Sequence, residues 1–162
     1  MHIKLKNKKL ILNDYKIKCA IGKTGILKKK REGDLATPKG RYSFTKLMYR
    51  KDRVRNLRSH FKKIPIKKNM GWCDDVTSNQ YNKLIHFPFD YGAEKLFRKD
   101  NIYDIILVTS YNSNPVKKNR GSAIFLHIAK NNFQKTKGCI AISKRDMRKI
   151  LKNINNKTKI II

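Results

Sequence analysis

The sequence contains few acidic residues and none of the signals that mark membrane spans or nucleotide-binding folds. Only 11 Asp and Glu residues oppose 40 Lys and Arg residues, so the formal net charge is +29. No run of about 18 apolar residues is present, so the sequence predicts no transmembrane helix. There is no internal repeat, glycine-rich phosphate loop or dinucleotide-binding fingerprint, which argues against a nucleotide-dependent enzyme.

The cysteine content excludes a fold built on disulfide bonds. Three cysteines is an odd number, so a full disulfide framework cannot form. Cys19 follows the alternating pattern of a strand and is predicted to lie in the core, whereas Cys73 is predicted to lie in a polar loop. Cys73 precedes Asp74 and Asp75, but three adjacent side chains rarely converge on one ion. No His lies at ligand spacing either, so we predict no metal site.

The excess of positive charge predicts attraction to polyanions, either nucleic acid or the anionic polymers of a cell envelope. It is concentrated at residues 46–68, which include ten Lys or Arg residues and the single acid Asp52. Basic residues interleaved with aromatic ones are typical of nonspecific nucleic-acid patches. The composition favours a solvated face or a rim that meets an anionic polymer. Residues 1–12 contain no apolar segment long enough for a signal peptide, so both a cytoplasmic and an envelope location stay open.

The hydrophobic patterns predict one mainly β domain over residues 1–162, because a chain of this length can bury an adequate core. A run of β-branched and aromatic residues predicts a buried strand at 102–111. Residues 93–99 are predicted to form a short helix. Ser143 followed by Asp146 resembles a capping box, so we predict a helix that begins at Ser143 and packs one apolar face on the sheet.

Two short apolar stretches bring a histidine towards a cysteine. In residues 122–129 the side chains on both faces are mostly apolar, which predicts a strand buried on both sides. A polar connection leads to a second short apolar strand at 138–143. His127 and Cys139 lie at the facing ends of these strands, where the imidazole can come within hydrogen-bond reach of the thiol.

The His127 and Cys139 pair predicts a nucleophilic thiol. Only the thiolate is a strong nucleophile, and an adjacent imidazole can take its proton to give a thiolate–imidazolium pair. Gly138 allows a sharp backbone turn that lets N–H groups face an oxyanion. Lys137 adds a positive charge that is expected to favour the thiolate. The alternative is that Cys139 is a small buried apolar residue and His127 a core histidine.

This constellation resembles the catalytic domain of the L,D-transpeptidase (YkuD-like) family. That family carries a His, a linker and then Ser/Thr-His-Gly-Cys, which is matched here by His127, Thr136, Gly138 and Cys139. Three other stretches also resemble a bacterial branch of the family: residues 30–44, 71–75 and 103–129.

The sequence departs from the family pattern at three positions. Lys137 replaces the second His of the motif, Ile128 replaces the Gly that often follows the first His, and Ala141 stands where many members have Asn or Arg. The resemblance implies a mainly β, sandwich-like fold of two packed mixed sheets with a C-terminal helix.

The resemblance also implies a cysteine-dependent acyl transfer on peptidoglycan stem peptides, which would serve cell-wall cross-linking or remodelling and cell shape. Cys139 is expected to attack the carbonyl of an L-centre, with His127 as general base and later general acid. The amides of Gly138 and Cys139 are expected to bind the oxyanion, and Thr136 to orient the site. No cofactor is implied. An L,D-carboxypeptidase, another cysteine peptide hydrolase and a basic nucleic-acid-binding module remain as alternatives.

Overall fold

A computed structural model describes residues 1–28 and 31–162 of the chain, and in those residues it contains fourteen strands and one α-helix. The strands are β1 (His2–Lys6), β2 (Lys9–Leu12), β3 (Tyr15–Ala20), β4 (Ile26–Leu27), β5 (Thr37–Pro38), β6 (Arg41–Tyr49), β7 (Lys63–Pro65), β8 (Met70–Cys73), β9 (Leu84–His86), β10 (Ala93–Lys95), β11 (Ile105–Thr109), β12 (Phe125–Ile128), β13 (Ile140–Ile142) and β14 (Lys159–Ile161). The helix is α1 (Lys144–Leu151), and a 3₁₀ turn spans Asn131–Phe133.

The main sheet closes on itself. Its strand order is β11-β12-β13-β3-β2-β1-β14-β6-β7, and β6 also pairs with β11. β6 can join both ends because it is nine residues long: residues 41–43 pair with β14 and residues 44–49 pair with β11. The first eight strands of that order therefore form a barrel, with β7 added to β6.

The barrel corrects one fold prediction and confirms another. A mainly β chain with one helix near its C-terminus is confirmed. The sandwich of two packed mixed sheets is not what the main body forms, because its strands belong to one closed sheet. A second sheet is present but small, with three strands in the order β10-β8-β9.

Two separate hydrophobic cores lie on the two sides of the barrel wall. The inner core takes side chains from all eight barrel strands, among them Leu126 and Ile128 of β12, and therefore fills the barrel. The outer core packs Phe125 of β12 and neighbouring wall residues against Trp72 of the three-stranded sheet. The prediction that the strand within 122–129 is buried on both faces is confirmed, because each face looks into one of these cores.

The helix follows the capping prediction. Ser143 is the N-cap residue, and its hydroxyl oxygen accepts a hydrogen bond from the Asp146 N–H at 3.0 Å. Met147, Ile150 and Leu151 are buried and contribute to the inner core, so α1 packs its apolar face on the inside of the barrel. No helix among the described residues is both long enough and apolar enough to cross a bilayer.

Two local predictions are wrong for the same physical reason. Residues 93–99 do not form a helix, since Ala93–Lys95 is a strand that pairs with β8. Cys73 does not lie in a polar loop but ends β8 with no exposed surface. In both places the polar local sequence is overridden by pairing within the three-stranded sheet.

Candidate active site

A cavity of about 440 Å³ opens beside the outer core, and the residues that the sequence singled out converge on it. His127, Cys139, Thr136 and Lys137 all line it. Gly138 is buried between two of them. Charged and aromatic residues that the sequence analysis did not select also line it: Lys23, Glu32, Asp74, Glu94, Arg98 and Tyr103.

Strand pairing places the imidazole and the thiol on the same side of the barrel wall. β12 and β13 are parallel neighbours, and His127 lies opposite Ala141. Side chains alternate along a strand, so Cys139, two residues before Ala141, shares the outward face with His127. Ile140 and Ile142, which alternate with Cys139 and Ala141 along the chain, point into the inner core.

The hydrogen bond of His127 determines which ring nitrogen can act as a base. Nδ1 lies 2.8 Å from the Ile128 carbonyl oxygen, which can only accept, so Nδ1 carries the proton and donates it. The other nitrogen, Nε2, therefore has the free lone pair. Burial lowers the pKa of His127 to about 4, so the imidazole is neutral near pH 7.

An aromatic neighbour packs against the imidazole. The Tyr103 ring meets the His127 ring edge to face, with centroids 5.4 Å apart and planes at 82°. Burial raises the pKa of Tyr103 well above its usual value, so its hydroxyl stays protonated and donates to Glu94 Oε1 at 2.8 Å. The Arg98 guanidinium lies over the Tyr103 ring, 5.4 Å from the ring centroid. The imidazole is thus held in one orientation by a hydrogen bond and a ring contact.

The Cys139 thiol is held by backbone groups. Sγ donates to the Ala123 carbonyl oxygen at 3.0 Å, and the Phe125 N–H donates to Sγ at 3.4 Å. Burial disfavours the charged form of His127, and the expected thiolate–imidazolium pair stays a prediction.

Thr136 and Gly138 shape the turn that precedes Cys139. Thr136 Oγ1 donates to the Cys139 carbonyl at 2.6 Å and accepts from the Gly138 N–H at 3.1 Å. Gly138 has φ +140°, which favours glycine at this position. The orienting role of Thr136 stays a prediction. The expected binding of an oxyanion by the Gly138 amide also stays a prediction, and in this structure that N–H donates to Thr136.

A threonine from a distant loop supports the same turn. Thr37 is fully buried, and its Oγ1 donates to the Gly138 carbonyl at 2.9 Å and accepts from the Gly22 N–H at 2.8 Å. Sequence analysis found no signal for this role, because Thr37 lies 101 residues from Gly138 along the chain. Thr37 belongs to the stretch 30–44 that resembles the family, of which residue 30, like residue 29, lies outside the described part of the chain.

Lys137 is exposed, and its ammonium interacts electrostatically with two carboxylates that line the cavity, Asp74 and Glu94. Burial raises the pKa of both Asp74 and Glu94, and the Lys137 ammonium partly offsets this. The expected effect of Lys137 on the thiol therefore stays a prediction. In the described residues no group of three or more His, Cys, Asp or Glu side chains could hold a metal ion.

Part of the basic segment lines a cleft of its own. This cleft, of about 620 Å³, contains Lys51, Arg55, Arg58 and Lys63. The described linings of the cleft and the cavity have no residue in common. The segment also contacts the cavity wall, because Arg50 Nη1 donates to the backbone carbonyl of Arg98 at 2.7 Å.

One comparison with known proteins identifies a family. A family model described as the L,D-transpeptidase catalytic domain, YkuD, matches residues 2–162. A comparison with curated proteins finds no match. The family match spans nearly the whole chain, including both strands that hold His127 and Cys139.

Proposed function

Since the chain belongs to the YkuD family of L,D-transpeptidase catalytic domains, we propose that it transfers the acyl group of a peptidoglycan stem peptide through a thioester on Cys139. The observation that carries this proposal is the tautomer of His127. Its Nδ1 proton is committed to the Ile128 carbonyl, which leaves Nε2 as a neutral base in the cavity that Cys139 also lines. A base that can take the thiol proton is one way in which a cysteine nucleophile is activated.

In the first half of the reaction the thiol proton moves from Sγ to His127 Nε2 as Sγ attacks the carbonyl carbon of the L-centre. The S–C bond forms, and the carbonyl oxygen becomes an oxyanion. The C–N bond to the terminal D-amino acid then breaks, and the proton on Nε2 passes to the leaving amine. The products of this half are a thioester on Cys139, a free D-amino acid and a neutral imidazole.

The oxyanion is bound, in this proposal, at the Cys139 N–H. Support comes from the turn around it. The Gly138 carbonyl shares a peptide unit with the Cys139 N–H and accepts from Thr37 Oγ1 at 2.9 Å, while Thr136 Oγ1 donates to the Cys139 carbonyl in the following unit. Donors fixed before the reaction cost no reorganisation when the negative charge develops. Gly138 and Thr136 therefore act on the oxyanion through the backbone.

In the second half an amine of a second stem peptide attacks the thioester. Nε2 takes the proton of the amine, the new C–N bond forms, and Cys139 leaves as a thiolate that recovers the proton from Nε2. The products are a cross-linked peptide and the resting thiol. If water replaces the amine, the same steps give an L,D-carboxypeptidase.

The setting of this activity is the cell envelope, where peptidoglycan is found. Anionic envelope polymers are the partners that the cationic surface would attract, through nonspecific and salt-sensitive contacts. The same charge would give nonspecific nucleic-acid binding in a purified sample, so DNA affinity alone does not test the function.

The test is intact-protein mass spectrometry after incubation with tetrapeptide-containing muropeptides and, separately, with a carbapenem. We expect a covalent adduct on the wild type and none on Cys139→Ala. Cys73→Ala is the matched control, since it removes another thiol that is part of the outer three-stranded sheet, and its adduct should equal that of the wild type.

The products then separate the alternatives. A new cross-linked peptide indicates transpeptidation, and a shortened peptide without cross-links indicates a carboxypeptidase. An adduct that persists in Cys139→Ala contradicts the assigned nucleophile. A wild type that forms no adduct and turns over no stem peptide contradicts the acyl transfer and favours the basic binding module.

A further inference from the structure

The segment before β12 holds the Cys139 thiol from two sides. Sγ donates to the Ala123 carbonyl at 3.0 Å, and it accepts from the Phe125 N–H at 3.4 Å. Ala123 has φ +51°, a left-handed conformation that residues with a Cβ rarely adopt. Such a conformation persists only where the surrounding structure enforces it. The acceptor of the thiol proton therefore depends on the groups that hold Ala123.

Asn82 holds Ala123 by a hydrogen bond within a saturated network. Its Oδ1 accepts from the Ala123 N–H at 3.0 Å and from the Trp72 indole N–H at 2.9 Å. Its Nδ2 donates to the carbonyls of Asn112 at 2.7 Å and Tyr111 at 3.2 Å. These four bonds use every donor and acceptor site of a side-chain amide.

The network also fixes the direction of the amide. The indole and backbone N–H groups can only donate, and the two carbonyls can only accept, so the side chain of Asn82 cannot be turned over. Only 7% of its surface is exposed, so water does not compete for these bonds. Because Asn82 Oδ1 accepts from both Trp72 and Ala123, it links the three-stranded sheet to the backbone of Ala123.

We propose that Asn82 is a positioning residue for the nucleophile. It fixes Ala123 so that the Ala123 carbonyl accepts a hydrogen bond from the thiol and the sulfur keeps one position in the cavity. The proposal deepens the proposed function and rests on Cys139 being the nucleophile. A carbonyl acceptor stabilises the protonated thiol relative to the thiolate. Loss of this acceptor should lower the pH midpoint of Cys139 alkylation, whereas a displaced sulfur should slow acyl transfer. These opposite changes are the signature of positioning.

Asn82→Gly and Asn112→Gly form a matched pair for the test. Both asparagines have left-handed backbones, with φ +57° and +47°, and glycine accepts that conformation at both sites. Asn112 also anchors backbone through its side chain, by bonds from Nδ2 to the carbonyls of Lys117 and Gly121. It does not bond to Ala123 through its side chain, so it controls for the general loss of a loop-anchoring amide.

The experiment uses the full chain and two readouts. The first is the rate of iodoacetamide alkylation of each cysteine across pH, measured by peptide mapping. The second is the rate of covalent adduct formation with a carbapenem. For Asn82→Gly we expect a lower alkylation midpoint and an adduct rate reduced roughly 10- to 100-fold. Cys19 and Cys73 are buried and should stay slow, and Asn112→Gly should match the wild type in both readouts.

Three results would overturn the proposal: an unchanged midpoint in Asn82→Gly, an equal shift in Asn112→Gly, or alkylation of Cys19 and Cys73 together with Cys139, which indicates general loosening. If Asn82→Gly does not fold, Trp72→Phe takes its place, because it removes the indole N–H that Asn82 accepts while keeping one aromatic ring in the outer core. The same shift is then expected at smaller size, and its absence counts against the proposal. Alkylation requires no substrate, so a wild type without acyl transfer contradicts the proposed function while the role of Asn82 is still decided by the midpoints.

Discussion

The inner and outer faces of β12 and β13 differ in what their side chains can do. On the inner face, Leu126, Ile128 and Ile140 pack among aliphatic residues from the whole barrel. On the outer face, His127 and Cys139 border a cavity. The period of two along a strand separates these roles by a single residue, so stability and chemistry occupy opposite sides of one wall.

The outer face is also built from a different class of side chain. Trp72, Phe125, Tyr103 and His127 form a chain of edge-to-face contacts with centroid separations of 5.2, 5.9 and 5.4 Å. Aromatic rings have few rotatable bonds and can carry a polar group at one end. An aromatic core can therefore be both packed and hydrogen-bonded, as Tyr103 is to Glu94. The buried inner core is mainly aliphatic, and its two buried phenylalanines, Phe44 and Phe61, carry no polar group.

The thiols make the same contrast within one residue type. Cys19 belongs to the inner core, where burial raises its pKa to about 12 and keeps it protonated. Cys139 lines the cavity that His127 also lines. We therefore expect alkylation at neutral pH to modify Cys139 first, and faster modification of Cys19 or Cys73 in the folded protein would contradict the assignment.

The largest expected effect is the loss of the base. His127→Gln should reduce acyl transfer by roughly 10²–10⁴, because a Gln side chain can occupy the site but cannot take the thiol proton. The free energy of unfolding at pH 7 should change little, since the strand keeps its inner face. Single-turnover adduct formation and urea unfolding measure the two quantities. A parallel loss of stability would mean that His127 is a structural residue.

The converse change acts on the inner face. Leu126→Ala should lower the free energy of unfolding by about 2–5 kcal/mol, because it leaves a cavity in a fully packed core. The adduct rate per folded molecule should stay near that of the wild type. Leu27→Ala is the control, since Leu27 is 51% exposed and should cost less than about 0.5 kcal/mol. If Leu126→Ala reduced the adduct rate and left the free energy of unfolding unchanged, the two faces would not differ in function as described.

Acid should destabilise the outer face through His127. Its pKa is about 4 when folded and 6.5 when unfolded, so between these values the unfolded chain binds a proton that the native imidazole does not. The free energy of unfolding should therefore fall as the pH drops from 6.5 to 4, by on the order of 3 kcal/mol. Unfolding curves of the wild type and His127→Gln over this range measure the difference. An identical pH dependence in the two proteins would show that His127 is not buried as a neutral ring.

A smaller effect is expected from the support of the catalytic turn. Thr37→Val leaves the Gly22 N–H and Gly138 carbonyl without their buried partner, at a cost of about 1–3 kcal/mol in stability. The adduct rate should also fall, because the turn before Cys139 loses an anchor. Thr45→Val is the control, since its hydroxyl makes one long bond, of 3.3 Å, at an exposed site. Equal effects of the two substitutions would argue against a specific role for Thr37.

The smallest expected effect is that of Lys137. Its ammonium is exposed and is screened by solvent, so Lys137→Ala should slow alkylation of Cys139 only about two- to threefold, and more at pH 6 to 7 than at pH 9. High salt should reproduce the effect in the wild type. An unchanged pH profile would assign the thiolate population to His127 alone.

Local sequence patterns predicted the elements of the site better than their surroundings. Apolar residues on both faces of 122–129 indicated a strand buried on both sides, and the barrel with its outer sheet explains why. The capping pair at Ser143 likewise acts within three residues. Such features depend on neighbours along the chain, which alternation and propensity describe.

Features that depend on distant contacts could not be predicted. Barrel closure pairs β6 with β11 across more than fifty residues, and no local pattern encodes it. Cys73 is followed by two acidic residues in the sequence but has no exposed surface in the fold. The support from Thr37 and the network of Asn82 likewise join loops that are adjacent only after folding. The imidazole's neutral state also follows from tertiary burial.

The position of β14 has a consequence for synthesis on the ribosome. β14 lies between β1 and β6, pairing parallel with the first and antiparallel with the second. Residues 159–161 must therefore leave the ribosome before the ring can close, although both flanking strands emerge far earlier. Until then the nascent chain exposes two unpaired strand edges, which are sites for pairing with other chains. A polypeptide stalled before residue 159 should consequently be a client for chaperones, whereas one that has passed this point can close its own sheet.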